Sequence, residues 1–266
     1  SPLLQPVRHL GDAIAFRLCR EFTRRLSRYR LTTTYCDTLQ ALTLASGLIS
    51  QSVAEAEVIE SVYGLAADDV AVIPNGVDNL FFEADAALFH ARFNVRSPFI
   101  LVSGAISEYK NQHQAIEAAR TLGYSVVLAG PVQDERYLRR CLDIGGNSVF
   151  YIGMFDHDDP MLASCYAAAS ATVLLSKGET YGLVAVESLA AGTPVLMTSK
   201  TGLDLAEKPP CIAYVDPEAR QLVVDRMGAI VESAPSRQAC QDMVKDHSWD
   251  RVARATLGAY ELALAE

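Results

Sequence analysis

Three scarcities narrow the class of protein that this sequence encodes. No stretch of the chain approaches the roughly 18 consecutive apolar residues that a membrane-spanning helix needs. The 6 cysteines include no Cys-x-x-Cys pair, which predicts reduced, buried thiols in a cytoplasmic protein and argues against a metal site. Positive charge is also scarce, since 23 Lys and Arg face 32 Asp and Glu, and the net charge of −9 disfavours nucleic acid as a partner.

A common nucleotide-binding fingerprint is missing as well. The segment VSGAIS, residues 102–107, follows the first strand expected in the main domain and offers one glycine. The Gly-x-Gly-x-x-Gly fingerprint of nicotinamide dinucleotide domains needs three glycines at that place. The sequence therefore argues against a dinucleotide-dependent oxidoreductase.

Short β runs alternate with helical patterns along most of the chain. The candidate strands are almost continuously apolar, as in a parallel sheet covered on both faces, and lie at 71–74, 99–104, 125–130, 148–153, 171–176, 193–198 and 211–215. Helical patterns lie between them, at 112–121, 134–143, 160–169, 183–191, 218–229 and 236–245. This alternation predicts βαβ units and an α/β fold with a doubly wound, Rossmann-like parallel sheet. Turn chemistry in 75–98 predicts a connector.

The chain is expected to contain one main domain and part of another. Residues 1–74 predict a remnant of an N-terminal α/β domain, with a short strand at 47–50 and a helix at 52–63, and residues 75–247 predict a complete domain. Residues 248–266 predict a last helix. Because the chain begins Ser-Pro rather than Met, we expect it to be a processed or truncated piece of a longer protein.

One glutamate lies just before a predicted helix and another lies within it, and the other residues of that helix are small or apolar. In GETYGLVAVESLAAGTPV, residues 178–195, Glu179 lies in a loop after a predicted strand, at the edge where open parallel sheets bind ligands. The amides around Gly182 and Leu183 begin the helix and favour phosphate. Glu187 can reach back toward this end to bind ribose hydroxyls, because helical side chains lean that way. A plainer interpretation stays open, with an exposed loop acid and a solvent-facing helix acid.

This stretch resembles the signature of family 4 glycosyltransferases, retaining enzymes of the two-domain B-type fold. Glu179-Thr180-Tyr181-Gly182-Leu183, then Glu187 and Gly192-Thr193-Pro194-Val195, follow the family pattern. Five further segments resemble family motifs in order, VIPNGVD (72–78), GAISEYKNQ (104–112), LAGPVQDERYL (128–138), FYIGMF (150–155) and HSWDRVARATLGAY (247–260). The resemblance covers about residues 45–264. It implies that residues 1–74 are a remnant of the acceptor-side domain, that residues 75–247 are the nucleotide-sugar donor-binding domain, and that residues 248–266 form a closing helix that packs back toward the first domain.

The resemblance implies a nucleoside-diphosphate sugar donor and an acceptor that is a glycan or a lipid-linked glycan. It implies that Glu179 contacts the donor sugar near its anomeric carbon, that Lys110 neutralises the diphosphate, and that Glu187 holds the ribose. The remaining donor-binding positions implied are Gly104, Met154, Tyr181, Gly182 and Leu183. It also implies retention of configuration, with no metal and no cofactor besides the sugar nucleotide.

Two departures keep a second hypothesis open. Where the family usually has a second cation before Lys110, this chain has Ala105, and Lys177 is the nearest replacement in the sequence. The first domain is also mostly missing. A non-catalytic subunit that binds nucleotide sugars or a partner is therefore the alternative.

The first residues carry a local excess of positive charge. Residues 1–30 hold seven arginines and two acids, a balance of +5, and residues 10–26 have helical spacing with an apolar and a basic face. The plain interpretation is a helix of the incomplete domain. The alternative is a peripheral contact of residues 10–30 with the inner face of the membrane.

Overall fold

The computed structural model describes residues 34–95, 97–205, 208 and 210–265. The helix predicted at 10–26 lies outside the described residues. The chain divides into two compact units, one comprising Asn75–Val252 and the other the residues up to Pro74 together with those from Ala253 onward. Within the described part of the chain, no helix combines the length and the apolar character needed to cross a membrane.

The smaller unit contains a two-stranded parallel sheet. Its elements before Pro74 are the helices α1 (Thr34–Leu44) and α2 (Val53–Tyr63) and the strands β1 (Leu48–Ser50) and β2 (Val70–Val72). The α2 helix begins after Ser52, whose side chain accepts a hydrogen bond from Glu55 N, and ends at Gly64, which has a φ of 72°. The helix and the strands that the sequence predicted at 47–50, 52–63 and 71–74 are thus present.

The larger unit alternates strands with helices, as its sequence pattern predicts. Its strands are β3 (Phe99–Ser103), β4 (Ser125–Ala129), β5 (Val149–Tyr151), β6 (Ala171–Leu174), β7 (Val195–Thr198) and β8 (Ile212–Val215). Its helices are α3 (Asn79–Phe82), α4 (Ala87–Arg92), α5 (Gln112–Thr121), α6 (Glu135–Gly145), α7 (Pro160–Ala168), α8 (Leu183–Ala190), α9 (Arg220–Ser233) and α10 (Arg237–Gln241), and the last helix of the chain is α11 (Trp249–Ala265).

The six strands form one parallel sheet in the order β5-β4-β3-β6-β7-β8. The chain starts in the middle at β3, moves outward to β5, returns to β6 beside β3, and moves outward again to β8. This confirms the doubly wound, Rossmann-like sheet. The order reverses between β3 and β6, and ligands of such sheets bind outside the carboxyl ends of the strands at this point.

Both faces of the sheet are buried, which explains the continuous apolar strands. In β3, Phe99 and Leu101 belong to one core cluster, whereas Ile100 and Val102 belong to the other. The first cluster packs the sheet against α7 and α8, and the second packs it against α5, α6 and α9.

The segment at 75–98 is more ordered than the connector that the sequence predicted. It contains α3 and α4, which have 4 and 6 residues. Asp78 accepts a hydrogen bond from Leu80 N at the start of α3, and Phe81 and Phe89 are fully buried. Helices of this length hold too few residues to display helical periodicity, so only their buried contacts identify them.

Candidate functional site

The loop after β3 continues the pairing of the sheet beyond its strands. Gly104 N donates to Ala129 O at 2.8 Å, and Ile106 N donates to Pro131 O at 2.9 Å. A Cβ atom at Gly130 would lie 2.1 Å from Gly104 O, so the two backbones touch and only glycine fits there. Gly104 itself has a φ of 132°. The loop that resembles a phosphate-binding segment is thereby fixed at the carboxyl edge of the sheet.

Asn111 ties this loop to the end of β6. It is buried, has a φ of 60°, and its Nδ2 donates to Leu175 O at 3.0 Å. The preceding residue is Lys110, whose Nζ lies 2.7 Å from Glu179 Oε1. The hydrogen bond of Asn111 therefore brings Lys110, in the loop after β3, into contact with Glu179, in the loop after β6. These two loops lie where the strand order reverses.

Glu179 is held in place by both its backbone and its side chain. Its N–H donates to Lys200 O at 2.8 Å, and its carbonyl accepts from Gly202 N at 3.0 Å. The Ser176 hydroxyl donates to Oε1, the oxygen that also meets Lys110. The side chain is only 10% exposed, so it is not the exposed loop acid of the plainer interpretation.

The α8 helix begins beside this pair. Gly182 precedes it with a φ of 86°, and a Cβ there would lie 3.1 Å from Met197 Cε. The first amides of a helix, here those of Leu183 and the next residue, have no intrahelical acceptor. The Tyr181 side chain is 4% exposed, and its hydroxyl donates to Asn75 O at 3.4 Å. Burial raises the pKa of Tyr181 to about 12. The buried Tyr181 side chain therefore anchors the loop between β6 and α8 in the core.

Glu187 is buried within α8 and makes two polar contacts. The Tyr166 hydroxyl donates to its Oε2 at 2.7 Å, and His157 Nδ1 lies 3.5 Å from its Oε1. Only 6% of the residue is exposed, which excludes a solvent-facing helix acid. Burial raises the pKa of the Glu187 carboxyl, while the hydrogen bond from Tyr166 and the proximity of His157 oppose the shift.

Sequence reasoning missed four residues that surround the two acids. They are Ser103 at the end of β3, His157 in the loop after β5, Tyr166 on α7 and Ser176 after β6. Tyr166 had one usable signal, because it is a phenol in a helix that is apolar apart from Ser164, and a buried phenol needs a hydrogen-bond partner. The other three have no distinguishing signal in the sequence.

The remaining positions lie around the same edge or close to it. Met154 is 60% exposed and follows Gly153, whose carbonyl accepts from Gly130 N at 2.8 Å, so it stands on the loop after β5. Lys177 is exposed, and its N–H donates to Tyr109 O at 2.9 Å, next to Lys110. Within the ranges that the structure covers, no group of three or more His, Cys, Asp or Glu side chains is arranged to hold a metal ion.

The sheet order and these side chains define a doubly wound α/β protein with its polar groups at the switch point. Residues 85–247 match the family model described as Glycosyl transferases group 1. The chain belongs to this family, and the resemblance seen in the sequence is confirmed.

Several named glycosyltransferases and one solved structure are similar to this chain. The D-inositol 3-phosphate glycosyltransferase of Acidothermus cellulolyticus is 28% identical over 248 residues, which cover 84% of this chain and 54% of that protein. The glycogen synthase of Mycobacterium tuberculosis is 28% identical over 237 residues, covering 81% and 54%. A solved sucrose-phosphate synthase from Thermosynechococcus elongatus has the same fold, with a TM-score of 0.72, 23% identity and coverage of 90% and 66%. The chain spans about half the length of these two curated relatives.

Proposed function

We propose that this chain is the donor-binding part of a glycosyltransferase that moves a sugar from a nucleoside diphosphate to an acceptor, with retention of the anomeric configuration. The observation that carries the proposal is the contact between Lys110 and Glu179 at the switch point, beside the start of the helix that buries Glu187. A cation and a helix N-terminus suit a diphosphate, and the two acids suit the hydroxyls of the sugar and of the ribose that the diphosphate joins.

Each side chain has a chemical task in this proposal. Lys110, the backbone at Gly104 and the amides at Gly182 and Leu183 bind the diphosphate and stabilise the charge that develops on it when the sugar leaves. Glu179 accepts hydrogen bonds from hydroxyls of the donor sugar. The other acid accepts hydrogen bonds from the ribose, and the backbone near Met154 meets the base.

The reaction is proposed to need no metal ion and no cofactor other than the sugar nucleotide itself. The positive charge that a leaving diphosphate needs is supplied by Lys110 and by the dipole of α8, both of which are part of the fold. Donors fixed in the protein need no reorganisation when the sugar–phosphate bond breaks.

The complete protein is proposed to act on a glycan or a lipid-linked glycan in the cytoplasm, with a peripheral contact at the membrane. The acceptor and its residues belong to a first domain, of which this chain carries at most a part. The coverage of its relatives supports this assignment, because the matched part of the chain spans only 54% of each.

A non-catalytic nucleotide-sugar-binding or partner subunit is the second candidate, and Ala105 favours it. This residue stands where the resembled segment carries a second cation, and its carbonyl accepts a hydrogen bond from Gln112 Nε2 at 2.8 Å. An arginine at that place is worth about 1.5–3 kcal/mol as a charge-assisted partner of phosphate. Without a replacement, the site binds the leaving group less tightly than an active enzyme requires.

Calorimetry of this chain with UDP, GDP and ADP in the presence of a chelator tests donor binding. We expect one of the three to bind, and no heat with any of them would contradict the proposal. Incubation of the full-length protein with the matching sugar nucleotides then separates the two candidates. Release of nucleoside diphosphate and a product of unchanged anomeric configuration by NMR support the enzyme, whereas binding without turnover supports the subunit.

A further inference from the structure

We infer that Tyr166 is the positioning residue of the ribose subsite, because its hydroxyl fixes one oxygen of Glu187 and leaves the other directed toward the ligand. The inference rests on the proposed role of Glu187 as the ribose ligand. Tyr166 lies on α7, a helix that packs against one face of the sheet. None of the site residues implied by the sequence motifs lies on α7.

Tyr166 is locked in place by its surroundings. Its side chain is fully buried, its ring meets the ring of Phe81 edge-on at 5.7 Å, and its carbonyl accepts from Thr193 Oγ1 at 2.7 Å. These contacts hold the ring where its hydroxyl donates to Glu187 Oε2. A buried phenol needs a hydrogen-bond acceptor, and a carboxylate accepts without donating when ionised.

The same hydroxyl links Glu187 to the strand that ends in the phosphate loop. Ser103 Oγ lies 3.1 Å from the Tyr166 oxygen, and Ser103 is the last residue of β3, directly before Gly104. Tyr166 has one hydroxyl proton and donates it to the carboxylate, so in the other bond Ser103 is the donor and Tyr166 the acceptor. A hydroxyl that receives a hydrogen bond becomes a better donor, so Ser103 strengthens the bond from Tyr166 to the carboxylate. The side chains of Ser103, Tyr166 and Glu187 therefore form a chain of hydrogen bonds that connects the end of β3 to α8.

The second carboxylate oxygen meets a residue of the loop after β5. His157 Nδ1 lies 3.5 Å from Oε1, and the His157 side chain is 55% exposed whereas that of Glu187 is 8% exposed, so the neighbour of Oε1 is accessible to a ligand at this loop. A ribose presents two neighbouring hydroxyls as donors. A carboxylate with one oxygen anchored meets them in one fixed direction, whereas an unanchored one turns about its last torsion angle.

The hydroxyl also favours the ionised carboxylate that a ribose requires. Burial raises the pKa of Glu187, and the hydrogen bond from Tyr166 lowers it again. Among the described side chains packed around this carboxylate, the titratable groups that affect it are Tyr166 and His157. Removing the hydroxyl therefore raises the pKa of Glu187 further, and nucleotide binding is lost at a higher pH than in the unaltered chain.

The test is the variant Tyr166→Phe, compared with the unaltered chain in its binding of the best nucleoside diphosphate and of its 2′-deoxy analogue between pH 4.5 and 8. We expect affinity for the ribonucleotide to fall about tenfold, as for the loss of one charge-assisted hydrogen bond. Affinity for the 2′-deoxynucleotide falls less, so the preference for ribose shrinks, and the acidic midpoint of binding moves to higher pH.

Tyr137→Phe is the matched control. Tyr137 is 2% exposed, lies on α6 in the other core cluster, and its hydroxyl meets His113 Nδ1 at 2.9 Å. This variant loses the hydroxyl of another core tyrosine and should keep both the ribose preference and the acidic midpoint. If Tyr166→Phe does not fold, Ser103→Ala replaces it and should produce smaller changes in the same directions.

Two results overturn the inference and can be told apart. If Tyr166→Phe keeps the ribose preference and the midpoint while Glu187→Gln loses the preference, the hydroxyl is only structural. If the unaltered chain and Glu187→Gln both bind the two nucleotides equally, the proposed ribose role of Glu187 fails, and the inference fails with it.

Discussion

Lys110 Nζ lies 2.7 Å from Glu179 Oε1, which joins two residues that are 69 positions apart in the sequence. Without a donor, each charge is the main partner of the other, and the Glu179 carboxylate also receives the Ser176 hydroxyl. A diphosphate competes with Glu179 for the ammonium group, and sugar hydroxyls compete with Lys110 for the carboxylate. In the proposed function, donor binding therefore exchanges this ion pair for two sets of charged contacts.

Substitution of Lys110 should weaken diphosphate binding selectively. Lys110→Met removes one charge-assisted contact, and we expect the Kd of the nucleoside diphosphate to rise between tenfold and a hundredfold, equivalent to about 1.5–3 kcal/mol. The Kd of the nucleoside monophosphate should change less. Calorimetry measures both, with Lys245→Met as the control for loss of an exposed lysine. Equal losses for both ligands would place the diphosphate elsewhere.

The two acids should separate nucleotide from sugar nucleotide. Glu187→Ala should weaken binding of both, because both contain the ribose. Glu179→Ala should weaken the sugar nucleotide but spare the free nucleotide, and its loss frees Lys110 for the phosphates. Titration of each variant with both ligands measures this. Parallel losses in the two variants would show that the roles are wrongly assigned.

Ala105→Arg should tighten diphosphate binding if the site has only lost its second cation. We expect a gain of up to about tenfold that decreases with salt, though less than for an exposed charge. Lys177 stands beside Lys110 through the bond from its N–H to Tyr109 O at 2.9 Å. If Lys177 already supplies the second charge, Ala105→Arg should gain little alone and more in the presence of Lys177→Met. No gain in either background would mean that the backbone no longer approaches the phosphates.

Much of the larger unit follows from the sequence because its strands are buried on both faces. The strand β3 was predicted to within one residue, and α5 was predicted with its observed bounds, Gln112–Thr121. Continuous apolar runs and helical periodicity are local signals, so they survive without knowledge of the fold. By contrast, α3 and α4 depend on the burial of single aromatic residues by distant parts of the chain.

The candidate site was predictable only where its residues fall within a motif. Glu179, Gly182 and Glu187 share one loop and one helix, and their spacing carries the resemblance. Tyr166 lies 21 residues from Glu187 on another helix, and the bond between them depends on how α7 and α8 pack against the sheet. No local pattern encodes that register. A tyrosine in an apolar helix also has an ordinary explanation as a core residue.

The basic segment at 10–30 should bind anionic membranes if it is a peripheral contact. Each arginine near such a surface contributes about 1 kcal/mol, and Leu10, Ile14, Leu18 and Phe22 would supply the inserted stripe. Co-sedimentation of the full-length protein with anionic and neutral liposomes, at low and moderate salt, measures this. Equal binding to both liposome types, or binding to neither, would favour a helix of the first domain and an acceptor free in solution.

Ionised Glu187 should lower the stability of the folded chain, and this cost should depend on pH. Burial raises the pKa of its carboxyl above the unfolded value of about 4.3, so the folded state binds this proton more tightly than the unfolded state does. The contribution of Glu187 to stability is therefore complete below the unfolded pKa and is lost as the pH rises through the raised folded value.

Glu187→Gln removes this titration but keeps an oxygen that accepts from Tyr166. The Tm of the variant minus that of the unaltered chain should therefore increase between pH 4 and pH 8, by about 2–4 °C for each kcal/mol. The other titrating groups are common to both chains, so their contributions largely cancel in this difference. Glu232→Gln, on an exposed part of α9, controls for the loss of one negative charge. A Tm difference that stays constant over this range would mean that the buried carboxylate is fully compensated by its hydrogen bonds.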